Sequence, residues 1–454
     1  MKKAKVPGAR TAGQEAVRDT TGTVEKTNMK TTGLLAFAAQ SQKRLSICLD
    51  VAKDSLTWFY RHHGQERCGA LEYRSTPLSQ WFTERKAEAK ELGLAGLHIV
   101  CESTGAYHRR LLRMAREQEC TTALVSGEQV NALQIVESND TGKSDWKDPR
   151  TMMLLVDWGK TLTDRDLGEH WGALRELDTW YNRIEERMVE VKNRLHNHLQ
   201  QLCPELSFKK DWRFESEAAR HVAQHYGFDP LAMLADGEKE FAAKLSKEGV
   251  YAKTIARLWQ DAAASRTGNG TPNWRKVIVA QVRAGYAELA LLDKEREEVR
   301  TQMVAMLTIL QEAGEVKLRA QPGLIGPFML ARIVAQTGPL KEFKAIEQLW
   351  RYGGMNLRPK QSGQVRGKER QAKRGRAQLR KVLGQAVLKL VVKGALYGEY
   401  YHAKKAAGMP GPVAMTAVAR KLLKLLFGLE RSQSAYDPKR VFTCQSSYKV
   451  EKAA

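Results

Sequence analysis

Across residues 43–165, short apolar runs alternate with longer stretches of mixed polarity. Leu45 to Val51 (LSICLDV) has the length and apolar content of a buried strand, and its penultimate residue is Asp50. Ala52-Lys53-Asp54-Ser55 has turn chemistry, so Asp54 is read as a turn residue and Ser55 to Tyr60 as the return strand of a hairpin. The pattern predicts a helix over Pro77–Leu92 and then a second apolar strand, Leu97 to Glu102, again ending in an acid. Tyr107–Gln118 reads as a helix and Thr122–Val125 as another strand. This alternation predicts an α/β domain over 43–165.

From about Gly168 the period becomes helical. Trp171–Leu202 and Val282–Glu312 carry apolar residues at helical spacing among many charges, each long enough for a coiled-coil arm. Two such arms, within 166–317 and flanking an insert over 207–275, are expected to pack antiparallel. The insert contains Trp212, Trp259 and Trp274, and its pattern assigns it no role. A mainly helical domain is expected over 318–430. In it, Gln321-Pro-Gly-Leu-Ile-Gly-Pro followed by Phe328–Thr337 has the make-up of a helix-hairpin-helix, whose glycines let backbone N–H groups approach a phosphate. A plain turn between two helices is the competing reading. Residues 1–42 are polar and rich in Gly, Thr, Lys and Gln, as in a mobile arm, and 431–454 read as a polar tail.

Composition narrows the partner. Seventy-four Lys and Arg oppose 51 Asp and Glu, giving a formal charge of +23. Such an excess attracts nucleic acid irrespective of base sequence. The charged N-terminus is followed by no apolar core, and no run approaches a membrane span, so a cytoplasmic protein acting at the nucleoid is expected, without membrane partners. Six cysteines (48, 68, 101, 120, 203 and 444) form no C-x-x-C pair and have no histidine nearby at ligand spacing. They read as reduced, packed thiols, and zinc is not expected.

The charge is concentrated. Ten of the 24 residues from Arg358 to Lys381 are basic, and only Glu369 opposes them. Arg358, Lys360, Arg366, Lys368, Lys373, Arg374, Arg376 and Arg380, with Lys143 upstream, are the candidate nucleic-acid contacts. Ser362-Gly363 lies among them, on what reads as an exposed loop. Two roles fit Ser362: a hydrogen-bond donor to a backbone phosphate, or a nucleophile that leaves a protein–DNA phosphodiester. No histidine adjoins it as a base, which favours metal activation.

Four acids stand out by position. Asp50 and Glu102 each terminate an apolar strand, so both can emerge at one edge of a sheet. Asp145 and Asp148, three apart, share a face if their segment is helical. Singly they have plainer readings: Asp50 as a strand-end turn residue, and Asp148 as the cap of a helix starting at Pro149. Together they match the way an RNase H-like nuclease assembles a divalent-metal site. Hard oxygen ligands suit Mg²⁺, with Mn²⁺ possible, and two ions about 4 Å apart can clamp an in-line displacement.

In order along the chain, Asp50-Val-Ala-Lys-Asp, Glu102-Ser-Thr-Gly-Ala-Tyr-His, Lys143-Ser-Asp145-Trp-Lys-Asp148, the Pro-Gly…Gly-Pro turn and Ser362-Gly with Lys373-Arg-Gly-Arg-Ala-Gln-Leu-Arg380 resemble the DEDD insertion-sequence transposases, family one-ten, related to Piv-type DNA invertases. The resemblance implies a RuvC-like (RNase H-like) α/β N-terminal domain, a helical coiled-coil arm and a mainly helical C-terminal transposase domain with a catalytic serine. It implies metal binding by Asp50, Glu102, Asp145 and Asp148, covalent attack by Ser362, and a dimer-to-tetramer recombinase guided by a structured non-coding RNA. The sequence departs from the pattern at Pro149, where alanine is usual, and at Gly323-Leu-Ile-Gly326, where a tighter Gly-x-Gly is commoner. Two other classes fit the residues alone: a RuvC-like nuclease or Holliday-junction-type resolvase with water as nucleophile, and a non-catalytic nucleic-acid-binding scaffold.

Overall fold

β1 (Leu45–Val51) buries five of its seven residues, because it lies in the middle of a sheet. It pairs antiparallel with β2 (Ser55–His62) and parallel with β4 (Leu97–Glu102). With β3 (Gln65–Glu72), β5 (Thr121–Val125) and β6 (Leu162–Thr163) the order is β3-β2-β1-β4-β5-β6. Helices α1 (Ser75–Glu91) and α2 (Tyr107–Glu117) are the crossovers that parallel pairing requires. Helices α3 (Gly127–Ser138) and α4 (Lys147–Asp157) follow β5. This is the mixed sheet of an RNase H-like α/β domain. The computed structural model describes residues 43–103, 105–138, 147–165, 167–207, 216–265, 270–362, 365–434 and 436–438, with side chains except at 137–138, 207 and 359–369. The expected N-terminal arm, most of the polar tail, Lys143, Asp145, Trp212 and Cys444 lie outside them.

Asp54 is the turn residue expected: the Ala52 amide donates to the Ser55 carbonyl at 3.0 Å, and the Asp54 carbonyl accepts from the Tyr73 amide. Three elements here were not foreseen, one of them the two-residue strand β6. β3 is a largely exposed edge strand, so QERCGALE carries no apolar alternation. The third, α3, buries little of itself beyond Val130.

The described residues fall into two compact units, before and after residue 166. The second is built on α5 (Glu169–Leu202) and α11 (Pro272–Glu312). Buried positions on α5 recur mostly three or four residues apart, as a helix facing a helix demands. The pair runs antiparallel as expected. Arg194 near the end of α5 meets Glu288 at 2.5 Å, while Trp180 near its start donates to Glu295 at 2.8 Å. Between the two helices, α6 (Pro204–Ser207), α7 (Glu217–Tyr226), α8 (Pro230–Ala235), α9 (Glu238–Lys247) and α10 (Ala252–Ala264) make the insert a small helical cap. Trp259 packs there on Phe241, with ring centres 5.5 Å apart. Helices α12 (Pro327–Thr337), α13 (Ile346–Tyr352), α14 (Ala377–Val387), α15 (Gly398–Ala406) and α16 (Gly411–Ser432) complete the unit. A single buried cluster runs through it from Trp171 to Phe427.

The helix-hairpin-helix expectation is corrected in part. The turn is present, closed by the Gln321 amide on the Ile325 carbonyl at 2.9 Å, and α12 starts directly after it at Pro327. The residues immediately before it belong to no helix. The carboxylate of Glu430, buried on α16, accepts from the Lys317 amide at 3.0 Å and the Leu318 amide at 2.8 Å. Those amides are thereby satisfied without helix formation.

Among the described residues no helix is long and apolar enough to cross a membrane. Cys48, Cys101, Cys120 and Cys203 are buried free thiols, and Cys68 is an exposed one.

Candidate active site

The ladder between β1 and β4 pairs Leu49 with Cys101, so the next step sets Asp50 beside Glu102 on neighbouring parallel strands. Alternation along a strand sends both side chains to the same face. Each is half-buried. Asp148 approaches from α4. It lies within the helix and is not the cap expected, since Lys147 before it is already helical. Gln134 of α3 donates its side-chain amide to the Asp148 carboxylate and so orients it.

The charges of Asp50 and Asp148 both act on Glu102. The Glu102 carboxyl is pushed above its usual range first by burial, then by repulsion from Asp50 and from Asp148. Gly127 makes room for it: a Cβ there would stand 2.2 Å from Glu102 Oε1. An all-carboxylate donor set that repels itself fits a hard divalent cation, which would neutralise the repulsion. Asp145 lies outside the described residues. Gly127 and Gln134 were missed by sequence reasoning. The small residues Ser126-Gly127 opening a helix directly after β5 were the available signal.

Gly127→Ala is expected to fold normally, since the atom it displaces ends a flexible side chain. Moving that carboxylate by about 1 Å should cost roughly 10²-fold in any reaction that depends on its position. A full-rate Gly127→Ala enzyme would show that the Glu102 position does not matter.

The basic run forms a two-stranded ribbon, where an exposed loop was expected. β7 (Leu357–Ser362) pairs antiparallel with β8 (Val365–Gln371), and Ser362 is the last residue of β7, opposite Val365. The register breaks between Arg358 and Lys360. Pro359 sits at the break and has no N–H to give the ladder. Arg358 and Arg370 stand directly opposite, a like-charge pairing that disfavours the ribbon unless a polyanion covers it. The side chains of Lys360, Ser362, Arg366 and Lys368 are outside the described set.

The remaining cations divide. Lys373 and Arg374 are exposed. Arg376 and Arg380 are half-buried and do structural work as well: Arg376 Nε donates to Gln336 Oε1 at 2.6 Å, and Arg380 donates to the Gly353 carbonyl at 2.9 Å. One further group escaped the sequence reading: His221 and His225, at helical i, i+4 spacing, lie beside Glu248.

Residues 47–204 match a family model described as a DEDD, IS110-type transposase, and residues 317–402 match the transposase family IS116/IS110/IS902. The chain is 22% identical over 316 residues to an uncharacterised 44.8 kDa protein of insertion element IS116 from Streptomyces clavuligerus, covering 69% of this chain and 77% of that one. Among solved structures, a Ppx/GppA family member from Aquifex aeolicus aligns over 59% of this chain and 98% of its own, at 12% identity. The TM-score is 0.16.

Proposed function

Because the two matched segments make this chain an IS110-family transposase of an insertion element, we propose that it cuts and rejoins DNA, using the carboxylate cluster to hold metal and Ser362 for covalent attack. The observation that carries this reading is the meeting of Asp50, Glu102 and Asp148 at the strand ends of an RNase H-like domain. These acids, with Asp145, would hold Mg²⁺ or Mn²⁺, and the bound cation would supply charge neutralisation at the phosphate.

The chain's own residues do the rest. The ribbon grips the backbone through Arg358, Lys360, Arg366, Lys368 and Arg370, with Lys143, Lys373 and Arg374 as flanking cations. Ser362, at the end of β7, is presented to a scissile phosphate. Its Oγ–P bond forms as the P–O bond to the leaving strand breaks, and the hydroxyl proton passes to the released sugar oxygen. Attack by a second DNA hydroxyl reverses these changes, joins the new strand and frees the serine. The arginines offset the charge that develops on the phosphate.

Partners belong to the same reading: donor and target DNA, a structured non-coding guide RNA, and further copies of the chain, in a dimer or tetramer held by the α5–α11 arm as a coiled coil. The +23 charge supports more than one polyanion.

Ser362→Ala tests the mechanism. Strand exchange and the covalent protein–DNA adduct are expected to fall by at least about 10³-fold, with DNA binding retained. Strand cleavage at an undiminished rate would instead make water the nucleophile.

A further inference from the structure

The insert carries a second cluster of ligand-type side chains. His221 and His225 stand one turn apart on α7, so their rings share a face of the helix. Glu248, which caps the C-terminus of α9, lies against both. Its Oε2 is 3.6 Å from His221 Nδ1, and its Oε1 is 3.9 Å from His225 Nε2. One ligand atom from each of the three residues lies within 4.8 Å of the others. A tetrahedral centre with bonds of about 2.0–2.1 Å holds its ligand atoms roughly 3.3–3.4 Å apart. The required contraction is a few tenths of an ångström at the closer contacts, and the Glu248 side chain, 43% exposed, is free to swing.

Two details favour a cation over a simple charge pair. His221 Nδ1 is buried without a hydrogen-bond partner, a cost that a metal bond would remove. The other ring nitrogen, Nε2, lies 3.8 Å from Glu217, beyond hydrogen-bond distance but close enough for that carboxylate to swing in and orient a ligating imidazole. Glu217 is itself held by Arg220 at 3.0 Å, so it is not counted as a ligand.

We propose that His221, His225 and Glu248 form a binding site for a borderline transition metal such as Zn²⁺, with one position left to water. Two imidazoles and a carboxylate select against Mg²⁺, so this site and the all-oxygen acid cluster take different ions. The ion would staple α7 to the end of α9 and stiffen the helical cap.

Equilibrium dialysis of the untagged full-length protein against Zn²⁺, in excess Mg²⁺ to occupy the all-oxygen site, reads the proposal directly. One zinc per chain is expected, retained by Asp50→Asn and lost by the His221→Ala/His225→Ala double variant. Co²⁺ substitution should give the visible absorption of a tetrahedral site in the same two proteins that hold zinc. Glu248→Gln, an exposed change that leaves the fold intact, should weaken binding at least about tenfold. Absence of zinc from the wild type, retention by the double-histidine variant, or unchanged affinity in Glu248→Gln each overturns the site.

Discussion

Glu102→Gln should stop strand cleavage and, without divalent cations, make the protein more stable at neutral pH. Burial and the neighbouring Asp50 and Asp148 hold the Glu102 carboxyl above its usual range, so its ionised form opposes folding. A carboxyl whose folded value is raised favours the fold below the ordinary carboxylate range and loses that benefit as pH rises through the folded value. Glutamine keeps the shape and removes the charge. The melting temperature of the metal-free variant should therefore exceed wild type at neutral pH, with the gap closing as pH falls through the carboxylate range. With Mg²⁺ the order should reverse, because the wild type gains ligand-linked stability that the variant does not. Cleavage should drop at least about 10²-fold. A variant that cleaves normally would remove Glu102 from the active site, and one that melts lower when metal-free would refute the repulsion.

Asp178→Ala should cost about 3–5 kcal/mol of folding stability, because it strands a buried cation. Arg332 is 2% exposed and Asp178 is fully buried, with Arg332 Nε 2.7 Å from Asp178 Oδ1. The guanidinium also donates to Asn182 Oδ1 at 2.8 Å and Gln385 Oε1 at 2.6 Å, and lies 4.7 Å from the Tyr181 ring centre. The partner change Arg332→Met should be costly too, whereas Asp178→Ala/Arg332→Met should cost much less than the two singles added, since no charge is then left without its partner. Denaturant midpoints of the four proteins measure this coupling, and additive costs would refute it. The network reaches the ribbon's base. Gln336 donates to Asp178 and accepts from Arg376, which lies between β8 and α14.

The acid positions were legible because β1 and β4 are central strands whose apolar runs stop at Asp50 and Glu102. Burial on both faces writes a continuous signal, and its end marks the edge where a site can form. β3 and the β7–β8 ribbon were illegible for the opposite reason. β3 is an exposed edge strand, and Leu357–Gln371 is polar apart from Leu357, Pro359 and Val365, so neither has the two-residue alternation by which strands are recognised. Long-range partners leave no local mark at all. Nothing near Gly127 in the sequence names Glu102 as the group that needs its missing side chain. Arg376 and Arg380 look like their exposed neighbours, and only the fold reveals which carbonyls and amides they serve. The His221–His225 pair is readable from its i, i+4 spacing, but its partner Glu248, 23 residues beyond His225, is not.

The clamp of Glu430 on the Lys317 and Leu318 amides bears on how such chains can be recombined with their relatives. A chimera spliced at residue 317 would join the arm of one protein to the C-terminal part of another, across the boundary that sequence alone suggests. That splice divides a shared hydrophobic core and parts Asp178 from Arg332, so a hybrid inherits mismatched halves unless both sides are exchanged together. A crossover near residue 166 transfers each compact unit whole. Exchange of specificity among these transposases should therefore proceed by swapping everything beyond that point as a block.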